Sequence, residues 1–222
     1  MSKKPDPNAN MPHRFLRLAI TNTIRVIVRI LFRLKYEGRE NIPASGPAIL
    51  VCNHTSMIDM LVIHTVFPPW IHWVAKKELF KTRFWNRLFL NVGCLPVDRD
   101  KTDLQAARAI FTTLRNNQVV GMFPQGTRVK PEDVNFVRPR SGTIHFAIKT
   151  GAPILPAAID GRFKLSGKVR IVFGPLINLN LDPHQNYTAE ELEQLSVDLM
   201  RRVYALIGVD FQPMDRPGDT VQ

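Results

Sequence analysis

The chain has 222 residues, of which 45% are hydrophobic and 22% are charged, so it has the length and the apolar material of a single globular domain. This composition excludes a chain without a folded core. The net charge of +11 favours an anionic partner, namely nucleic acid, a phosphorylated substrate or an anionic membrane.

The cysteines and the N-terminus narrow the class of protein further. Cys52 and Cys94 lie inside apolar runs, which predicts buried free thiols in a reducing compartment. Neither a CxxC motif nor a Cys/His cluster is present, so no metal site is predicted. Residues 1–10 are polar and are expected to be disordered, and because no apolar run follows them, no secretory signal is expected.

Residues 11–38 have apolar side chains at helical spacing, with Arg17, Arg25, Arg29 and Arg33 on one broad stripe. A transmembrane helix needs about 20 nearly uncharged residues, and these arginines argue against a span. We therefore expect a basic amphipathic segment in the membrane interface, where the last three arginines would meet anionic headgroups. The alternative is a surface helix packed on the domain with a solvated arginine face.

From residue 39 to residue 208 short apolar runs alternate with helical patterns, which predicts an α/β domain. Its sheet is expected to be single, largely parallel or mixed, and flanked by helices. Strands are predicted at 48–54, 70–76, 94–99, 118–124, 153–159 and 168–174. Helices are predicted at 56–67, 77–93, 101–117, 141–152 and 188–208, with capping boxes at Thr102–Gln105 and Thr188–Glu191. The tail, 209–222, is expected to be loose.

Sheets of this kind place ligand sites at the C-terminal ends of their strands. In this sequence those ends offer Asn53-His54, Lys76-Lys77, Asp98-Arg99 and the segment 124–128. One histidine, one aspartate and several cations would therefore converge at one edge of the sheet.

His54 and Asp59 lie five positions apart, where a strand gives way to a helix, and the pattern has two interpretations. In the first, Ser56 and Asp59 form a capping box and His54 is a turn residue. In the second, His54 precedes the helix, and Asp59 in its first turn bonds one ring nitrogen. The other nitrogen is then free to take a proton. The two interpretations are compatible.

The segment 123–128 ends a strand in a turn where Gly126 allows close approach of the backbone and Arg128 can grip a phosphate. Arg99 lies at another strand end, so a phosphate pocket is predicted. The P-loop pattern is missing, and so is the G-x-S-x-G motif of serine nucleophiles. Because neither cysteine has the sequence context of an exposed nucleophile, the base would act on a hydroxyl or water of the substrate.

These motifs, in this order, resemble the glycerolipid acyltransferase family, most closely its 1-acylglycerol-3-phosphate acyltransferases. The N-H-x-x-x-x-D motif stands at 53–59, the block that ends in Asp-Arg at 93–99, and the F-P-E-G-T-R-like block at 123–128. A fourth block, apolar around a proline, stands at 152–159. The resemblance covers roughly residues 40–175.

The resemblance implies direct acyl transfer without a metal or other cofactor. His54, oriented by Asp59, would deprotonate the free hydroxyl of lysophosphatidic acid, which then attacks the thioester of acyl-CoA or acyl carrier protein and gives phosphatidic acid. It implies a phosphate-binding set made of Arg99, Gly126, Thr127 and Arg128, and supporting roles for Asn53, Gln125 and Pro156.

Gln125 departs from the family, which usually has Glu at this position. The glutamine keeps the hydrogen-bonding reach but loses the charge, so we expect it to serve by hydrogen bonding and to favour a more anionic acceptor. Two alternatives stay open: the same chemistry on another lysophospholipid or a lyso-aminolipid, and a membrane-surface protein without catalysis.

The expected location is the cytoplasmic face of the cell membrane, as a peripheral or monotopic protein on an anionic lipid surface. Interfacial or acyl contacts, or alternatively core packing, are expected of four aromatic residues, namely Trp70, Trp73, Phe84 and Trp85. A nucleic-acid-binding module is disfavoured, because the arginine stripe lies on a helix with a wide apolar face and no nucleic-acid motif is present.

Overall fold

The computed structural model describes residues 14–99, 102–163 and 167–215. Within these residues, seven strands form one sheet in the order β1-β7-β6-β2-β5-β3-β4. The strands are β1 (Arg33–Glu37), β2 (Ala48–Cys52), β3 (Ile71–Lys76), β4 (Leu95–Val97), β5 (Val119–Met122), β6 (Ile154–Gly161) and β7 (Lys168–Phe173). The helices are α1 (Arg14–Leu31), α2 (Asp59–His64), α3 (Arg83–Asn91), α4 (Leu104–Arg115), α5 (Gly142–Thr150) and α6 (Ala189–Ala205).

The sheet is mixed and largely parallel, as the sequence predicts. Strands β6, β2, β5, β3 and β4 run parallel to one another, β7 runs antiparallel to β6, and β1 runs parallel to β7. Every residue of β2 is buried, which explains why its sequence is a continuous apolar run without alternation.

Two helical layers cover the two faces of the sheet. Alternate residues of β2 divide between them, so that Ile49 and Val51 pack with α4, α5 and α6, whereas Leu50 packs with α1 and α2. Because both faces are covered, the edge formed by the strand ends is the place left for a site.

The predicted helix over 11–38 is too long, since α1 ends at Leu31 and residues 33–37 form strand β1 beside β7. The physical reason is the edge of β7, whose backbone groups pair with those of this segment. Arg33 therefore lies in a strand, and residues 11–13 are outside the described part. The Arg25 guanidinium donates to the carbonyl oxygen of Thr65 from Nε at 3.2 Å and from Nη2 at 2.8 Å, so it ties α1 to the end of α2.

Helix α1 exposes several large apolar side chains beside polar and basic ones. Its exposed large side chains are Phe15, Leu18, Val26, Ile27 and Ile30. Helix α3 has no buried residue, and its Phe84 and Trp85 are exposed, whereas Trp70 and Trp73 are buried in the core. No helix in the described residues has the length and hydropathy of a membrane span.

A further local expectation is corrected at the start of α4. Asp103, not Thr102, caps α4, because its carboxylate accepts hydrogen bonds from the backbone N–H groups of residues 105 and 106. The capping box of α6 is confirmed at Thr188 and Glu191. In the described part of the tail, 209–215, the Phe211 side chain is 1% exposed and stacked on Tyr204, whereas five of the other residues are exposed. Residues 1–10 and 216–222 lie outside the described residues.

Candidate active site

The C-terminal ends of β2, β3, β4 and β5 surround a cleft of about 400 Å³. Five of the predicted site residues line it, namely His54, Arg99, Gly126, Thr127 and Arg128. The sheet topology thus brings together residues that are up to 74 positions apart, because parallel strands end at a common edge.

His54 and Asp59 are hydrogen-bonded, with 2.8 Å between His54 Nδ1 and Asp59 Oδ2. Asp59 is fully buried, and the His54 side chain is 14% exposed toward the cleft. Since Nδ1 is held by the carboxylate, Nε2 is the ring nitrogen left to exchange a proton with a molecule in the cleft.

The loop between β2 and α2 folds around the Asp59 carboxylate. Its Oδ2 accepts from the backbone N–H groups of Thr55 at 2.7 Å and Ser56 at 2.8 Å, and its Oδ1 accepts from the Thr55 hydroxyl at 3.2 Å. The predicted capping box is only half formed, because the Ser56 hydroxyl accepts from Ile58 N–H and α2 begins at Asp59 itself. The buried carboxylate is therefore compensated by four donors, including the histidine.

An aromatic stack packs against one face of the His54 ring. The His54 ring lies on Phe123 at 4.0 Å between centroids and 15° between planes, and Phe123 lies on Trp73 at 5.2 Å and 10°. Gly121 makes room for this stack, since a Cβ there would come within 2.5 Å of Trp73 Cε3. The carboxylate and the stack together leave the imidazole one orientation.

The basic side of the cleft is built from two strand ends. Arg99 Nη1 donates to the carbonyl oxygen of Gly126, which has a positive φ of 68°. Burial and, secondarily, the charge of Arg140 lower the pKa of Arg99. Thr127 and Arg128 are exposed at the rim, and Val129 N–H donates to the carbonyl oxygen of His54 at 2.8 Å. This bond links the segment after β5, which carries Thr127 and Arg128, to the loop between β2 and α2, which carries His54.

Asn53, directly after β2, and Pro156, in β6, do not line the cleft. The Asn53 amide donates to the carbonyl oxygen of Ile159 at 3.0 Å and accepts from its N–H at 2.8 Å, which joins the end of β2 to β6. Pro156 is buried in β6, where its carbonyl oxygen accepts from Gly174 N–H at 2.8 Å. Both residues hold the strands that position His54.

Gln125 is buried and points away from the cleft. Its Oε1 accepts from the Tyr204 hydroxyl at 2.8 Å, and its Nε2 donates to the carbonyl oxygen of Val137 at 3.1 Å. The side chain thus ties the loop 123–128 to α6 and to the segment before α5. It does not line the cleft, so a charge at this position would not lie in the cleft.

Eight further residues line the cleft, and three of them have a charged or aromatic side chain: Lys76, Phe123 and Arg140. Lys76 was visible as a cation at a strand end, and Phe123 stands inside the third motif. Arg140 carries no local signal, because its place in the cleft depends on how the loop after β5 folds back.

The two cysteines are free, and Cys52 is buried whereas Cys94 is partly buried. Burial raises the pKa of Cys52 well above its usual value, and it raises the pKa of Cys94 to about 11. Among the described residues, no three or more His, Cys, Asp or Glu side chains are grouped so that they could hold a metal ion.

A second cavity, of about 220 Å³, adjoins the cleft between the sheet and helices α4 and α5. Much of its wall is apolar, from residues such as Val74, Ala107, Ile110, Met122 and Phe146. Phe123 and Arg99 line both spaces, so an apolar recess begins beside the histidine.

This fold and site define an α/β enzyme with a histidine that lines the cleft and is hydrogen-bonded to a buried carboxylate. The chain belongs to the acyltransferase family, because residues 33–160 match the sequence model of the family described as Acyltransferase. The matched range contains all the predicted site residues.

Two relatives show how far the similarity extends. The chain is 31% identical over 160 residues to the 1-acyl-sn-glycerol-3-phosphate acyltransferase of Bacillus subtilis (strain 168), which covers 69% of this chain and 78% of that protein. It is 30% identical over 163 residues to the protein of the same name from Salmonella typhimurium (strain LT2), which covers 71% of this chain. The match spans 62% of the Salmonella protein, which is less than two thirds of its length.

The fold is similar to the crystal structure of the 1-acyl-sn-glycerophosphate acyltransferase from Thermotoga maritima. The TM-score is 0.65 at 24% identity, over 88% of this chain and 81% of that chain. This likeness supports the architecture described above.

Proposed function

We propose that this protein transfers a fatty acyl group from the thioester of acyl-CoA or acyl carrier protein to the free hydroxyl of 1-acylglycerol 3-phosphate. The product is phosphatidic acid. The observation that carries the proposal is the His54–Asp59 pair, which opens on a cleft lined by Arg99 and Arg128. A histidine base near two arginines suits an acceptor that has both a hydroxyl to deprotonate and a phosphate to bind.

The transfer is direct. His54 Nε2 accepts the proton of the acceptor hydroxyl as its oxygen forms a bond to the thioester carbonyl carbon. The carbon–sulfur bond then breaks, and the imidazolium returns the proton to the leaving thiolate. Asp59 stabilises the imidazolium between these two steps. The high pKa of both cysteines supports a route without a covalent thioester on the enzyme.

The apolar cavity beside Phe123 would take the start of a fatty acyl chain. Replacing Ala107 with leucine would narrow it. We expect Ala107→Leu to lower kcat/KM for long-chain thioesters more than for short-chain ones. An equal loss of kcat/KM for all acyl-chain lengths would mean that the fatty acyl chain binds outside this cavity.

The exposed apolar face of α1 would lie in the headgroup region of an anionic membrane, with Arg29 beside it. Phe84 and Trp85 on α3 add a second apolar surface. We expect Ile30→Glu to weaken cosedimentation with phosphatidylglycerol vesicles, whereas Leu176→Glu, at an exposed leucine outside both helices, leaves it unchanged. Equal binding by the two variants would contradict this role of α1.

The acceptor is tested by comparing lysophosphatidic acid, lysophosphatidylcholine and a lyso-aminolipid with one thioester and the purified protein. Formation of phosphatidic acid with the highest kcat/KM supports the proposal. A higher value for another acceptor would keep the chemistry and change the substrate. The non-catalytic alternative rested on Gln125, whose buried amide has a full structural role.

A further inference from the structure

Arg140 reaches the cleft from the segment before α5 and contacts both loops of the basic side. Its backbone N–H donates to the carbonyl oxygen of Pro124 at 2.9 Å, and its Nη1 donates to the carbonyl oxygen of Arg99 at 2.5 Å. A Cβ built on Gly126 would lie 3.2 Å from Arg140 Nε, so the guanidinium lies against the glycine. The side chain is therefore held at the cleft by the fold.

Arg99 and Arg140 place two positive charges next to each other. Arg99 is partly buried, and the charge of Arg140 lowers its pKa in addition to the effect of burial. The ion pairs formed among the described residues do not include Arg99 or Arg140, and Glu78, whose charge acts on Arg99, is paired with Lys76 at 3.5 Å. Two adjacent like charges repel each other, and an anion between them would relieve the repulsion.

We infer that Arg99 and Arg140 form a two-guanidinium clamp for the phosphate monoester of the acceptor, in addition to Arg128. The inference rests on the function proposed above and names a binding residue that the motifs do not contain. Each guanidinium presents a planar fork of N–H groups that matches phosphate oxygens. Because the clamp lines the same cleft as His54, it would set the distance from the acceptor hydroxyl to Nε2.

A phosphate monoester is also present in coenzyme A, so the test must separate acceptor from donor. The variants are Arg140→Met, which keeps the apolar stem, and Arg140→Lys, which keeps the charge without the fork. The matched control is Arg138→Met, since Arg138 pairs with Glu193 at 2.9 Å and with Asp215 at 3.5 Å and does not line the cleft. Each protein is assayed with lysophosphatidic acid or monoacylglycerol as acceptor, and with acyl-CoA or acyl-pantetheine as donor.

For Arg140→Met we expect KM for lysophosphatidic acid to rise by roughly tenfold to a hundredfold, the range of a lost charge-assisted hydrogen bond. Turnover of monoacylglycerol and KM for acyl-CoA should stay near the wild-type values, and Arg140→Lys should be intermediate. Equal losses with both acceptors would assign Arg140 a structural role only. A rise confined to KM for acyl-CoA would mean that Arg140 binds the acyl donor. Either result overturns the clamp.

A binding measurement tests the clamp independently of turnover. Glycerol 3-phosphate should raise the melting temperature of the wild type and of Arg138→Met, but not that of Arg140→Met. An equal rise in Arg140→Met would refute the clamp. A wild type that binds glycerol 3-phosphate and forms no phosphatidic acid would refute the proposed function alone.

Discussion

The Tyr204 hydroxyl donates a hydrogen bond of 2.8 Å to Gln125 Oε1, across 79 positions of the chain. Burial raises the pKa of Tyr204 to about 12, so this hydroxyl stays protonated at neutral pH. Because Gln125 Nε2 donates in turn to the carbonyl oxygen of Val137, the amide uses both its acceptor and its donor. The F-P-E-G-T-R-like block at 123–128 is thereby fixed to α6.

Gln125→Glu should destabilise the protein without raising its activity. A carboxylate would keep the bond from Tyr204 but would set an oxygen against the carbonyl oxygen of Val137 in a buried place. We expect the free energy of unfolding, measured in urea, to fall by about 1–3 kcal/mol. Gln105→Glu, at an exposed glutamine of α4, should have little effect. Higher activity in Gln125→Glu would give this position a catalytic role.

Asp59→Asn should abolish most turnover while leaving substrate binding nearly intact. The amide keeps the size of the carboxylate but cannot stabilise an imidazolium, and its nitrogen cannot accept from the donors that surround Asp59. We expect kcat to fall by roughly 10² to 10⁴. Asp198→Asn, which removes a surface pair with Arg201, is the control. A normal kcat in Asp59→Asn would show that His54 needs no charged partner.

Much of this site was predictable because its signals are local. The His54–Asp59 contact follows from a strand that ends just before a helix, and the basic strand ends follow from the rule that parallel strands end at one edge. Strand β1 was missed because the apolar pattern of α1 continues into it, although the exposure of Arg33 and Lys35 alternates with Leu34 and Tyr36.

The parts that sequence did not predict depend on contacts between distant segments. Arg140 joins the cleft through carbonyl oxygens of Arg99 and Pro124, which no spacing within its own segment encodes. The burial of Phe211 depends in the same way on Tyr204. Tertiary packing decides such positions, so a loop pattern alone predicts exposure where the structure has a contact.

Gly121→Ala should disturb the aromatic stack beneath the histidine. The added methyl group would come within 2.5 Å of Trp73 Cε3 and 2.7 Å of Ile71 Cγ2, so Trp73 must shift and Phe123 with it. We expect a loss of about 1–3 kcal/mol in the free energy of unfolding, typical of overpacking, together with a lower kcat. Gly142→Ala meets its nearest atom at 4.0 Å and should retain normal stability. Unchanged stability and turnover in Gly121→Ala would mean that the stack does not position His54.

The stability of the protein should fall in acid partly because of His64. Burial, with a smaller effect of His72, lowers the pKa of His64 to about 4 from 6.5, and its ring packs edge-on against Trp70. The unfolded chain therefore binds the extra proton first, and the stabilisation present above pH 6.5 is lost as the pH falls toward 4. Between about pH 8 and about pH 5 we expect this residue to contribute a loss of about 2 kcal/mol.

This contribution is isolated by comparing urea unfolding of the wild type and His64→Gln at both pH values. The variant should lose less stability on acidification, because glutamine takes up no proton. Identical losses in the two proteins would mean that His64 titrates alike in the folded and unfolded states.

The most direct test of the central claim is His54→Ala in the transfer reaction. Wild type, His54→Ala and the control His145→Ala, at an exposed histidine of α5 that does not line the cleft, are incubated with lysophosphatidic acid and an acyl thioester in anionic vesicles. Phosphatidic acid and free thiol are followed together. We predict that both appear in equal amounts with the wild type and His145→Ala, and that neither appears above background with a folded His54→Ala. Turnover by His54→Ala at the wild-type rate would contradict the account.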